Sequence, residues 1–114
     1  MDQCIFCKII NGDIPSTKVF ENDLVYAFRD IEPQAPVHIL VVPKKHIPSL
    51  AAIDEASDAE LAACLRACRE IALSEGLGET GFRVVTNAGK DACQSVPHLH
   101  FHILGGVQMA AGMA

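Results

Sequence analysis

The spacing of apolar positions changes several times along the chain, and each change marks an element. Ile5, Ile9 and Ile10 predict a short helix over residues 4–11, with Gly12 as its stop and Pro15 excluding continuation. Two short strands follow, Lys18–Phe20 and Leu24–Arg29, joined through Asn22-Asp23. Pro33 and Pro36 then stiffen a loop over 30–36. Val37 to Val42 is a dense run of branched apolar residues, predicting a central strand that Pro43 ends. Ser57 with Glu60 three places on is the pattern of a capping box. Beyond it Leu61, Cys64, Leu65, Cys68, Ile71 and Ala72 recur at spacings of three and four, one face of a long helix closed by Gly76 and Gly78. Phe82–Thr86 and residues 98–104 read as the last strands. About five strands, one long helix and a short N-terminal helix make an antiparallel α+β fold.

The last strand carries the most informative pattern, His98-Leu99-His100-Phe101-His102. Side chains alternate across a strand, so the three imidazoles share one face, while Leu99, Phe101 and Ile103 share the other. The apolar row suits a core and the histidine row a cleft, with neighbouring imidazoles roughly 6 to 7 Å apart at the backbone. A central histidine can then attack a substrate while its neighbours bind metal or contact an anion. Three histidines on one ion is the competing arrangement, but three in a row span too far for comfortable tetrahedral ligation.

Composition narrows the class. At 114 residues, half of them hydrophobic, the chain reads as one domain, 1–114, with one core. The net charge of -5 argues against a nucleic-acid backbone as partner, though not against a small nucleotide. No basic leader or membrane-length apolar run is visible, so the expectation is a cytoplasmic protein with no membrane partner. Its five cysteines are then thiols or metal ligands. Cys64 and Cys68 lie on the apolar helix face and read as small core residues. Cys4 and Cys7 form a C-x-x-C pair, half a tetrahedral zinc site that His46 and His98 could complete. A redox pair, or two incidental buried thiols, are the other readings of that motif. His38 interrupts an apolar strand, and by itself reads as a hydrogen-bonded core residue. Asp30 and Asn87 by themselves read as turn formers.

The stretch Val96-Pro97-His98-Leu99-His100-Phe101-His102-Ile103-Leu104-Gly105-Gly106 resembles the signature of the histidine triad (HIT) family, with Hint-type nucleoside phosphoramidases as the nearest likeness. The resemblance extends through Asp30–His38, Val42-Pro43-Lys44-Lys45-His46, Asn87-Ala88-Gly89 and Gln94-Ser95-Val96, nearly the whole chain. It implies a HIT-like fold and a hydrolase or transferase that cleaves adenosine 5′-phosphoramidates or related AMP conjugates. His100 would be the nucleophile, passing through a nucleotidyl-histidine intermediate. Ser95 and His102 would lie against the phosphate, with backbone amides of the Cys93-Gln94-Ser95 loop helping. Asp30 would take the ribose hydroxyls, Ile31 would contact the nucleoside beside it, and Asn87 would help hold the nucleotide. His38 would stand behind His100 and fix its tautomer. The same resemblance implies a structural zinc on Cys4, Cys7, His46 and His98.

A homodimer is also expected. One helix cannot cover every face and edge of the sheet, and Ala62, Ala63 and Ala67 are small enough for close helix contact. The resembled family pairs main helices and sheet edges about a two-fold axis, bringing each tail near the partner's cleft. Here the tail after Gly106 has no aromatic residue, where Hint-type tails often carry one. The rival to an enzyme is a non-catalytic nucleotide-binding or zinc-scaffold regulatory protein in the same pocket, but a binder needs no nucleophile.

Overall fold

The apolar run of Val37–Pro43 becomes β3, the middle strand of a five-stranded sheet, with six of its seven residues buried. Such a strand needs cover on both faces. The main helix α2 (Asp58–Ser74) lies over one face, above a core that includes Val25, Ile39, Val41, Cys64, Ile71 and Ile103. The short helix α1 (Ile5–Ile10) supplies the other, where Cys4 and Phe6 pack with Tyr26, Phe28, Leu40 and Val42. The structure, a computed structural model, describes residues 3–112.

The remaining strands are β1 (Lys18–Glu21), β2 (Val25–Arg29), β4 (Phe82–Val85) and β5 (Phe101–Gly105). All neighbours are antiparallel, in the order β1-β2-β3-β5-β4. The β3–β5 register sets Leu40 opposite His102 and His38 opposite Leu104, which puts His38 and His102 on the α1 face. Gly105 and Gly106 close β5 where side chains have no room. A Cβ at Gly105 would meet Leu77 Cδ1 at 2.6 Å, and Gly106 has φ +87° beside Pro36.

Several expectations shift. The N-terminal helix is shorter than 4–11, with Cys4 as its N-cap, and its inward residue is Phe6; Ile5 is 49% exposed. The long helix has the expected capping box, but its phase differs. Ala67, expected on the outer side, is buried against the sheet, whereas Leu65 is 58% exposed. Cysteine and alanine on the inner face let the helix sit close to β3, and the larger leucine is left outside. A 3₁₀ segment, Leu50–Glu55, was not foreseen. The last strand starts at Phe101, not 98, because the Leu99 amide leaves the ladder and donates to the Ile47 carbonyl. The alternation of side chains nevertheless runs on through 98–100: Leu99, Phe101 and Ile103 belong to the α2 core. Cys64 and Cys68 are core residues as expected, and burial pushes their thiols up to about 12 and about 11. No helix among the described residues is long and apolar enough to cross a membrane.

Candidate active site

The three alternating histidines share the α1 face, but they line no common open cleft: His98 is fully buried and His100 is 4% exposed. Phe6, which sequence reading passed over, covers them. Its ring stands edge-on to His100 at 5.0 Å and to His98 at 5.9 Å. Each imidazole has a different set of partners, so one ion held by all three is contradicted.

His100 Nδ1 lies 2.7 Å from the His98 carbonyl oxygen. A carbonyl only accepts, so Nδ1 carries a hydrogen, and in the neutral tautomer the lone pair is on Nε2. The His100 carbonyl in turn accepts from Thr86 Oγ1 at 2.7 Å, a second contact that no motif signalled. His100 and His102 have ring centroids 5.1 Å apart.

His38 does not stand behind His100. Its Nε2 is 2.9 Å from His102 Nδ1, because His38 and His102 sit diagonally on adjacent strands, His102 two residues from Leu104, which faces His38. The loop of Pro33 and Pro36 folds back so that the Gln34 amide donates to His38 Nδ1 at 3.0 Å. Asp30 Oδ2 lies 3.5 Å from His38 Nε2, while Oδ1 caps the loop through the Glu32 amide. Burial, then His100 and His38, push His102 down to about 4. Burial also lowers His38, against the pull of Asp30. Both rings are therefore neutral at pH 7.

A pH dependence of stability follows. An unfolded histidine takes its proton near pH 6.5, while folded His102 refuses it until about pH 4. The stabilisation is present above pH 6.5 and is lost as pH falls toward 4. Urea midpoints measured between pH 7 and pH 4.5 should fall, and a His102→Asn variant should fall less. Equal slopes for the two proteins would refute the assignment.

The loop after β4 was expected to offer backbone amides of Cys93, Gln94 and Ser95 to a phosphate. The structure corrects two of the three, since the Cys93 amide donates to the Lys90 carbonyl and the Gln94 amide to the Gly89 carbonyl. The Gln94 side chain is also engaged. Its Oε1 accepts from the Gly89 amide, and its Nε2 donates to the carbonyls of Pro48 and Val96. Gln94 thus clamps the loop. Cys93 has φ +58°, a left-handed conformation, and its side chain is exposed. Ser95 is exposed, Asn87 is half-buried, and Ile31 is 93% exposed at the loop surface.

Cys4, Cys7, His46 and His98 converge with all four ligand atoms within 4.8 Å of one another. Cys4 Sγ lies 3.4 Å from His98 Nδ1, and Cys7 Sγ lies 3.4 Å from His46 Nδ1 and 3.6 Å from His98 Nδ1. A tetrahedral zinc with ordinary bond lengths separates sulfur from nitrogen by about 3.6 Å. His98 Nε2 donates to the Pro43 carbonyl, which leaves the Nδ1 lone pair turned to the thiols. Burial pushes His98 down to about 4, so that lone pair is free at pH 7. The donor set fits zinc. Burial, then Cys4, pushes the Cys7 thiol up to about 11, which makes a cation the natural partner for two thiolates here.

Residues 11–109 match the HIT domain family. The purine nucleoside phosphoramidase of Escherichia coli strain K12 is 42% identical over 105 residues, covering 92% of this chain and 88% of that protein. The 14 kDa zinc-binding protein of Zea mays is 50% identical over 107 residues, covering 92% of this chain and 83% of that one. A solved HIT family hydrolase from Clostridium thermocellum has the same fold, with a TM-score of 0.96 at 42% identity over 100% of this chain and 99% of its own. The histidine row, the antiparallel sheet that presents it and the likeness along almost the whole chain lead to one identification: this protein is a hydrolase of the HIT domain family.

Proposed function

We propose that this HIT-like domain, taken as a single unit over 1–114, cleaves adenosine 5′-phosphoramidates or related AMP conjugates through a nucleotidyl-histidine intermediate on His100. The observation that carries this reading is the 2.7 Å contact of His100 Nδ1 with the His98 carbonyl, which in the unprotonated ring turns the lone pair to Nε2, the nucleophilic atom. His100 Nε2 attacks the α-phosphorus and the bond to the leaving amine or alcohol breaks, the leaving group taking up a proton from solvent. Water then attacks the phosphorus and releases a proton to solvent, the bond from phosphorus to His100 Nε2 breaks, AMP departs, and His100 regains its lone pair. The His98 carbonyl stabilises the positive charge that develops on the ring during attack. His102 and Ser95 contact the phosphoryl oxygens, Asp30 the ribose hydroxyls, and Ile31 and Asn87 the nucleoside side of the pocket. Of the loop amides, only Ser95 keeps the phosphate role, and Cys93 and Gln94 act by shaping the loop. The name of the Escherichia coli relative supports a P–N bond as the target.

Quenching the protein during turnover of a generic AMP-amine conjugate and mapping its peptides by mass spectrometry tests the reading. The expected result is an adenylylated peptide containing 98–102. Turnover without any such adduct would favour direct attack by water. The rival reading, a non-catalytic nucleotide binder or zinc scaffold, does not call for the free nucleophilic nitrogen on His100.

Zinc on Cys4, Cys7, His46 and His98 belongs to the same proposal, in a structural role, and the name of the Zea mays relative supports it. The homodimer belongs here as well. Leu65 and Leu73 on α2, Phe82 and Val84 on the edge strand β4, and Val107 beyond β5 are all exposed, a helix face and a sheet edge that a second copy would cover. Ala62 and Leu65, not Ala67, would meet the partner's helix. Arg83 Nη2 donates to the Ala110 carbonyl and ties the tail to that edge. Light scattering should report a dimer, and a charge at Val84 (Val84→Asp) should shift it toward monomer. A wild-type monomer at working concentration would refute the arrangement.

A further inference from the structure

Asp30, His38 and His102 bring three possible ligand atoms within 4.8 Å of one another, which by spacing alone would suit a cation. The backbone decides otherwise. A peptide N–H can only donate, so the Gln34 amide at 3.0 Å requires a lone pair on His38 Nδ1. Neutral His38 must then carry its hydrogen on Nε2, the atom that would have to face an ion. That hydrogen has two acceptors in reach, His102 Nδ1 at 2.9 Å and Asp30 Oδ2 at 3.5 Å. If it goes to His102, then His102 in turn carries its own hydrogen on Nε2. No protein acceptor lies on that nitrogen among the described residues.

We infer that Gln34, His38 and His102 form a directional hydrogen-bond chain that presents a neutral N–H donor on His102 Nε2, and that Asp30 is the competing acceptor through which the sugar of the substrate is sensed in the chemical step. This rests on the proposed nucleotide hydrolysis and adds to it a reason why the sugar should matter beyond binding. With ribose hydroxyls donating to Asp30, its oxygens are satisfied and the His38 hydrogen is committed to His102. With a sugar lacking those hydroxyls, Asp30 draws the same hydrogen toward itself. The hold of His38 on His102 Nδ1 then loosens, and His102 can turn or change tautomer. His38 is a positioning residue on this account, since it acts on the phosphate only through His102. The lowered proton affinity of both rings keeps the chain neutral at pH 7, so it supplies direction, not charge.

Two measurements test it. In ¹⁵N-labelled resting protein, long-range proton–nitrogen spectra of the imidazoles should show His38 and His102 both as Nε2–H tautomers. His102 should lose that single tautomer in His38→Leu and keep it in His38→Gln, whose amide can still donate. An Nδ1–H tautomer on His102 in the wild type overturns the chain, whatever the activity. Kinetically, an AMP-amine conjugate is compared with its 2′,3′-dideoxy counterpart. In the wild type the dideoxy substrate should lower kcat about tenfold as well as raise KM. In Asp30→Asn, which lacks the competing charge, the kcat difference should shrink to less than about twofold while a KM difference persists. A dideoxy effect confined to KM in the wild type overturns the sugar-sensing role. Expected tautomers in a protein that hydrolyses neither conjugate would instead defeat the proposed activity and support the chain by itself.

Discussion

His100→Ala is expected to lower turnover of an AMP-amine conjugate by roughly 10³-fold or more with the fold intact, because it removes the atom that bonds to phosphorus. The ring is 4% exposed and packs against Phe6, so its loss also leaves a small void between α1 and the sheet. Circular dichroism and a melting curve should nonetheless remain native-like, since the strand is held by its ladder to β3 and β4. Retention of a tenth of wild-type activity in a folded His100→Ala protein would eliminate nucleophilic catalysis by this residue. His102→Ala should fall short of that loss, since a donor to the phosphoryl oxygens is worth less than the nucleophile. Typical losses for one such donor are about 10² to 10³-fold.

The second large effect concerns stability. Removing zinc with a strong chelator, or replacing Cys4 by serine, is expected to lower the melting temperature by on the order of 10 °C. The four proposed ligands come from α1, the segment after β3 and the segment before β5. One ion would therefore fasten the N-terminal helix across the sheet, where α1 otherwise holds mainly through Phe6 and the side chains around it. Cys4 also caps α1 through its sulfur, so Cys4→Ser keeps a cap acceptor and isolates the loss of the metal. The rate constant for hydrolysis should change less than the melting temperature, since no ligand atom contacts the proposed nucleophilic nitrogen. Metal analysis finding no zinc in carefully purified protein, with an unaltered melting curve for Cys4→Ser, would defeat the assignment.

Much of this was readable from local pattern. Period-two alternation placed the histidines on one face, because strand geometry leaves a side chain only two directions. The capping box located the start of α2, since its two hydrogen bonds involve residues only three apart. The apolar run of β3, broken only by His38, announced a central, buried strand. The C-x-x-C pair marked half a zinc site, and the resemblance to the HIT family, not spacing, pointed to His46 and His98 as the other half.

Other features depended on contacts between segments far apart in the chain. Which histidine His38 serves follows from the β3–β5 register, and a shift of two residues in that pairing would give it His100 in place of His102. Gln34 takes part through its peptide amide, which every residue but proline possesses, so its side chain carried no signal. The engagement of the Cys93 and Gln94 amides within their own loop was likewise hidden, because hydrogen bonds of the backbone are set by its path and not by residue type. The phase of α2 was settled by how closely alanine and cysteine let the helix approach the sheet, which left Leu65 outside. Side-chain direction and residue chemistry are thus local properties of the chain, whereas register, helix phase and the partners of each backbone amide are decided only when distant segments pack together.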